Sequence, residues 1–373
     1  MKNPLQLNPK DMVNTYLLFF VMHSAQIGVG VQGFQRIVFQ DAKHDAWISV
    51  LLAGIATHIV TFFMIKTLEI YGANDLYGIQ QDIFGKLIGN VLNILYIFYC
   101  FMSFFSILRN YIEVIQAWIF PSISAWFLAI TLLIIIIYAF TGGLRVIVGV
   151  SFFSVVLSLW IIPMLAFPLK FSSINSLLPV LETDFRSILK GAKSMTFTII
   201  GFEILMVIYP FLNDKKHVQK YAHLSLLATT AIYVAVMAVS ITYYSNEEIV
   251  KTVWATLTLF SFISFPFIER FEFMAVCFWM LIILPNLCLY LWAAYRGAIR
   301  LVNIGHTKFV WLFAFFIFLG TLFVQTRVQI NAINNQFANI AFYAIFVYPI
   351  VLWIIAALKK KITTKKEQKN EQA

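Results

Sequence analysis

His23-Ser24-Ala25-Gln26-Ile27-Gly28-Val29-Gly30-Val31-Gln32-Gly33 interrupts the first apolar run of the chain. Glycine has no Cβ, so it tolerates unwound backbone and lets a ligand approach closely. Three glycines with His23, Ser24 and two glutamines in so short a stretch suit an opened turn within a membrane span. The bland alternative is a continuous helix packed tightly on small residues. On the first reading, Ser24, Gln26, Ile27, Gly28 and Gly30 are candidate ligand-binding positions. A second interruption lies at Thr196-Phe197-Thr198-Ile199-Ile200-Gly201-Phe202-Glu203-Ile204-Leu205. Glu203 is the carboxylate placed deepest in an apolar run, where a charge costs at least ~2.5 kcal/mol and faces a cavity or a partner. Three roles fit it: holding a ligand ammonium, relaying a proton, or pairing with a side chain of another span. Gly201, Phe202 and Glu203 join the candidate site.

The surrounding chain sets these breaks in a membrane. It has 373 residues, 61% hydrophobic and only 12% charged, whereas a soluble protein carries roughly 25% charged residues. Runs such as ILYIFYCFMSFFSIL and AWFLAITLLIIIIYAF are continuously apolar. Barrel strands would alternate polar and apolar residues, so the fold class is an all-α polytopic membrane protein. The net charge of +10 sits between apolar runs and in the tail, where it sets topology; nucleic acid is not an expected partner. Cys100, Cys277 and Cys288 lie inside apolar runs without metal-ligand spacing and are expected to be buried and inert. No phosphate loop, nucleophile elbow or HExxH signature is visible, so no enzyme, metal or cofactor is expected.

Ten transmembrane helices are expected, near 12–34, 46–68, 88–117, 122–140, 145–168, 188–210, 221–244, 271–296, 309–325 and 336–358. The stretch 253–268, short and interrupted by Pro266, is expected to fold onto the bundle without crossing. A polar linker, 169–187, divides a first five-helix repeat (1–168) from a second (188–358), and a basic tail follows (359–373). An odd number of spans per half forces the halves into opposite orientations, the arithmetic of an inverted five-plus-five repeat with discontinuous helices one and six. With ten spans, 17 of the 27 Lys and Arg residues fall on the side of the termini, which places both termini in the cytoplasm. The six tail lysines (Lys359, Lys360, Lys361, Lys365, Lys366 and Lys369) read as a solvated flank, or as a contact with anionic lipid.

Other spans offer fewer candidates. Tyr96, Tyr99 and Ser103 share one face of span three, as pocket lining or as packed aromatics; Tyr96 and Tyr99 are carried as candidates. Asn286 follows Pro285 at a kink of span eight. Arg109 and Glu113, four apart, are expected to pair, and His58 to be a satisfied bundle histidine. If the two breaks meet near the midplane, positive half-helix ends can hold a carboxylate, while carbonyls and Glu203 hold an ammonium. A free amino acid carries both groups.

DAWIS at Asp45–Ser49, FGKLIG at Phe84–Gly89, LRNYIE at Leu108–Glu113, LPVL at Leu178–Leu181 and the FE…YP run from Phe202 to Pro210 resemble the B subunits of endospore germinant receptors, the spore germination permease family. That family is similar to amino acid–polyamine–organocation transporters. The resemblance implies ten helices in the inverted-repeat arrangement, with discontinuous helices one and six. It matches Gly28-Val29-Gly30 to the helix-one ligand motif and Gly201-Phe202-Glu203 to the helix-six break. It further implies a role in recognising a small nutrient, an amino acid by the zwitterion argument, in the spore inner membrane beside receptor A and C subunits. An active amino acid or amine transporter is the alternative, since both need the same pocket. One departure stands out: sodium-coupled relatives hold an ion with hydroxyls on helix eight, and Phe273 to Tyr295 contains no Ser or Thr.

Overall fold

The computed structural model describes residues 9–72, 74–263, 265–266 and 270–371. The side chains of Lys2, Lys365, Lys366 and Lys369 lie outside the described part. In lipid the backbone must satisfy its own hydrogen bonds, and helices do so; a lone bridge between Val13 and Leu212 is the strand-like pairing among the described residues. In chain order the helices are α1 (Leu18–Gln26), α2 (Phe34–Ala42), α3 (Ala46–Tyr71), α4 (Leu76–Trp118), α5 (Ala125–Thr141), α6 (Gly143–Ser158) and α7 (Ile161–Met164). The linker leads to α8 (Phe185–Ser194), α9 (Thr196–Ile199), α10 (Leu205–Ile208), α11 (Val218–Tyr243), α12 (Asn246–Lys251) and α13 (Ala255–Ser261). The chain closes with α14 (Phe271–Leu301), α15 (His306–Phe323), α16 (Arg327–Ala341) and α17 (Tyr348–Glu371). Among the described residues, seven helical stretches are long and apolar enough to cross a membrane, with Ala125–Thr141 and Phe202–Phe211 as shorter apolar helices. The 26 residues of α3 rise about 39 Å, more than a hydrocarbon core of about 30 Å.

α14 packs along α4 and α6, and α11 against α1 and α3. Outside this core, Leu95, Phe98, Ile134 and Trp311 are each about three-fifths exposed. In water they would form a sticky patch; in a bilayer, lipid is their solvent. The N-terminal segment, the turn before α4 and the end of α14 share one end of the bundle, the terminal face. Arg145 there donates to the carbonyl of Met12, and Arg300 approaches the buried Asp75 at 2.9 Å. The linker lies at the other end of α3. Asp45, fully buried at the start of that helix, accepts from the backbone N–H groups of Leu181 and Thr183 at 2.7 and 2.8 Å. The DAWIS aspartate thus clamps the linker.

Several limits shift from the sequence expectation. The first apolar run continues helically to Ala42, because Gln35 and Asp41 find polar partners: Gln35 donates to Thr256 at 2.6 Å, and Asp41 accepts from Ser194 at 2.7 Å. α4 begins at Leu76 and is broken at Gly85 (φ 80°, ψ 170°), so the segment before 86 folds back beside Gly89. The 253–268 stretch carries a helix of seven residues, too short to cross, with Thr256, Leu257 and Phe260 buried in the bundle. Arg109 does not pair with Glu113. It donates to the carbonyls of Val324 and Gln325 just past the end of α15 at 2.7 and 2.8 Å, satisfying acceptors a helix end leaves open. Glu113 instead takes Arg327 at 2.6 Å. His58 meets His223, Nδ1 to Nδ1 at 2.8 Å, so one ring donates and the other accepts. Cys100 and Cys288 are buried, but Cys277 is exposed, since it faces away from the core of α14.

Candidate ligand-binding site

The two breaks meet. At the first, Ile27 is extended (φ −87°, ψ 99°) and the chain makes a short 3-10 turn, Val29–Gln32, before α2 begins. At the second, Gly201 has φ +124°, a conformation in which a Cβ is strained. A Cβ there would also sit 2.1 Å from the carbonyl oxygen of Ala25. A Cβ on Gly30 would come within 2.9 Å of the Cα of Thr198. Two glycines, one from each break, therefore permit backbone-to-backbone contact between α1–α2 and α9–α10.

Exposed backbone groups at both breaks need partners, and the neighbouring helices supply them. Tyr233 of α11 directs its hydroxyl between the carbonyls of Gln26 (2.9 Å) and Thr198 (3.1 Å). Asn286 donates to the carbonyl of Ala25 at 2.9 Å. Trp279 reaches the carbonyl of Gly28 at 3.3 Å. Gln26 donates to the carbonyl of Ile199 at 2.8 Å. These bonds use the N–H side of both carboxamides. The oxygens, Gln26 Oε1 and Asn286 Oδ1, are buried and have no partner among the described residues.

Glu203 stands differently. One carboxylate oxygen accepts from Tyr99 (2.7 Å) and Tyr290 (2.8 Å), the other from the backbone N–H of Gly201 (2.7 Å). The side chain is 1% exposed and accepts from three donors. The carboxylate thus has side-chain partners on two other helices, Tyr99 of α4 and Tyr290 of α14.

A cavity of about 30 Å³ lies against these groups, lined by Gln26, Gly28, Gly30, Asn286 and Tyr290 among others. That is room for about two water molecules. Phe197 and Phe337, in edge-to-face contact at 6.3 Å, also line it. Beyond Phe197, toward the linker, a vestibule of about 500 Å³ opens between α2, α8 and α16. The opposite, terminal side is packed: the Tyr77 hydroxyl donates to the carbonyl of Ala293 at 2.7 Å, and Phe211 sits against Trp292 at 5.3 Å.

Of the candidates, Gln26, Gly28, Gly30 and Asn286 line the cavity, while Tyr99, Gly201 and Glu203 form the layer behind Tyr290. Four lie apart from it. Ser24 bonds back to the carbonyl of Val21 at 3.1 Å, the ordinary fate of a hydroxyl on a helix. Ile27 lines a different, mostly apolar cavity with Trp279. Phe202 is fully buried against Phe346. Tyr96 packs between Tyr77 and Tyr99. Sequence reasoning missed Tyr290, Tyr233 and Trp279. Tyr290 is four residues after Asn286, the spacing of a shared helix face, and that signal was available.

Residues 12–330 match the model of the family described as spore germination protein, Spore_permease. This chain belongs to the spore germination permease family. Spore germination protein GerQB of Bacillus cereus is 37% identical over 96% of this chain and 99% of its own length. Spore germination protein A2 of Bacillus subtilis (strain 168) is 23% identical over 95% and 98%. Among solved structures, a Na+-coupled sialic acid symporter in a substrate-bound outward-open state aligns with TM-score 0.55 and 11% identity, covering 94% of this chain and 77% of that one. This permease-like likeness is one of fold alone. The chain is an integral membrane protein of a permease-like family, not an enzyme family.

Proposed function

We propose that this chain is the membrane subunit of a nutrient germinant receptor and that it binds a small nutrient, an amino acid, at the meeting of the two breaks. The observation that carries this reading is the pair of orphaned acceptors, Gln26 Oε1 and Asn286 Oδ1, beside a small cavity. Leaving a buried acceptor unmade costs about 1–3 kcal/mol, so the site calls for a donor, and an ammonium group supplies up to three. The opened 28–30 backbone faces the same cavity and offers N–H groups to the carboxylate. The cavity must widen to admit an amino acid, and Phe197 and Phe337 are the side chains whose rotation joins it to the vestibule. A ligand that fits only the widened state shifts the population toward it, and the shift is the signal passed to receptor A and C subunits.

The architecture that goes with this reading is the ten-helix inverted repeat, with repeats 1–168 and 188–358 about the 169–187 linker. Both termini and the 359–373 tail face the cytoplasm of the spore inner membrane, so the vestibule opens outward, where nutrient arrives. The germination relatives support the receptor role, and the basic terminal face supports the orientation. The fold likeness to a symporter supports the second reading, an active amino acid or amine transporter. The lack of Ser and Thr from Phe273 to Tyr295 argues against sodium held there.

The test is binding of labelled amino acids to the purified chain in lipid nanodiscs, with uptake into proteoliposomes in parallel. Saturable binding without uptake supports the receptor; robust uptake by the chain alone supports the transporter. No binding by any amino acid rejects the amino acid.

A further inference from the structure

The 500 Å³ vestibule is more than a passage. Among the described residues its lining includes Lys190, Lys193 and Arg327 and no carboxylate. Two of these cations are already paired, Lys190 with Asp41 at 2.8 Å and Arg327 with Glu113 at 2.6 Å. Lys193 is the third. Its ammonium stands over the rings of Phe342 and Tyr343 at 5.1 and 5.9 Å, an arrangement that holds the side chain but leaves its charge uncompensated. Facing it, α16 places Asn331, Asn335 and Asn339 on successive turns of one helix face, each with donor and acceptor. Asn334, on the same wall, is instead locked in reciprocal bonds with Asn110 at 3.0 and 3.1 Å.

The decisive group is Gln32. It lines the vestibule, its exposure is 0%, and neither polar atom of its carboxamide has a partner among the described residues. A buried amide that neither gives nor accepts a hydrogen bond is destabilising, and a polar ligand that displaces the side chains covering it from the vestibule would relieve it.

We propose that the vestibule is a binding site in its own right, for a small polar carboxylate. Lys193 holds the carboxylate, and Gln32 with the asparagine face of α16 meets the remaining polar groups. The central cavity and the vestibule then differ in chemistry: the first lacks donors for its open acceptors, the second offers an unpaired cation. An amino acid is drawn in by its carboxylate and bound further in by its ammonium. This sequence rests on the amino acid reading above, but the vestibule's preference for carboxylates does not.

The test uses the full chain in nanodiscs with Cys277→Ser as background and Asn335→Cys as the reporter. The introduced thiol is modified with sulfonatoethyl or trimethylammonioethyl methanethiosulfonate, each rate being normalised to a free thiol in solution. The anionic reagent is expected to react roughly threefold or more faster than the cationic one. The preference should vanish in Lys193→Gln, persist in Lys193→Arg, and collapse in about 1 M salt, where screening acts within about 3 Å. Sodium lactate at roughly 10 mM, within the range of a weak single-site ligand, should slow modification, and neutral lactamide should not. Lactate has no ammonium, so this arm reads the vestibule even if no amino acid binds the central cavity. Equal normalised rates, a preference that survives Lys193→Gln, or equal protection by lactate and lactamide would overturn the proposal.

Discussion

The break at 27–33 and the break at 200–204 look alike in sequence, each pairing glycine with a polar side chain in an apolar run, yet the structure uses them differently. The second is closed on itself: Glu203 takes the Gly201 N–H and two tyrosine hydroxyls, so both of its carboxylate oxygens have donors. The first is braced from outside, by Tyr233, Asn286 and Trp279, and the bracing leaves acceptor oxygens unfilled beside the cavity. A buried charge is therefore not by itself a ligand site. Here the carboxyl group bonds the unwound turn, and on the proposed reading the neutral carboxamides take the ligand.

The harshest way to break this comparison is Gly201→Ala. The added methyl meets the Ala25 carbonyl at 2.1 Å and the backbone is left at φ +124°, which together should cost about 3 kcal/mol or more. The expected outcome is loss of folded protein in detergent, read by size-exclusion chromatography. Glu203→Gln comes next. Its oxygen can still accept, but its amide would point a donor at a donor, leaving one buried group unmade at about 1–3 kcal/mol. Thermal stability should fall, while the nutrient concentration for half response stays within about twofold of wild type, a shift under 0.5 kcal/mol.

The legibility of the two breaks follows from the same contrast. Glycine, glutamine and one carboxylate within apolar runs are a local signal, and the structure shows opened backbone at both. What closes the breaks is not local. Tyr233 and Trp279 sit in apolar runs and are distinguished only by which carbonyl the bundle brings to them. Arg109 and Glu113 had helical pairing distance, but Val324, Gln325 and Arg327 from the α15–α16 connection offered better-placed partners. The expected end of the first helix near 34 falls short of Ala42 because the partners of the polar Gln35 and Asp41, Thr256 and Ser194, lie far away in sequence.

Milder changes sharpen the account. Gln26→Met keeps length and loses one open acceptor, together with its bond to Ile199. A loss of about 1 kcal/mol in ligand binding should raise the half-maximal nutrient concentration roughly fivefold, at near-normal abundance by immunoblot. Smallest is Phe337→Ala in a background carrying Ser103→Cys. Removing the ring frees Phe197, which lines both the cavity and the vestibule, so a small aqueous thiol reagent should label the central thiol faster than in the Phe337 parent.

The most direct measurement sets the two breaks against each other: nutrient dose–response of germination in spores carrying Gln26→Met or Glu203→Gln at matched receptor abundance. The account predicts a clear rightward shift for Gln26→Met and almost none for Glu203→Gln. A normal response in Gln26→Met, with a lost response in well-folded Glu203→Gln, would contradict it and return the ammonium to the carboxylate.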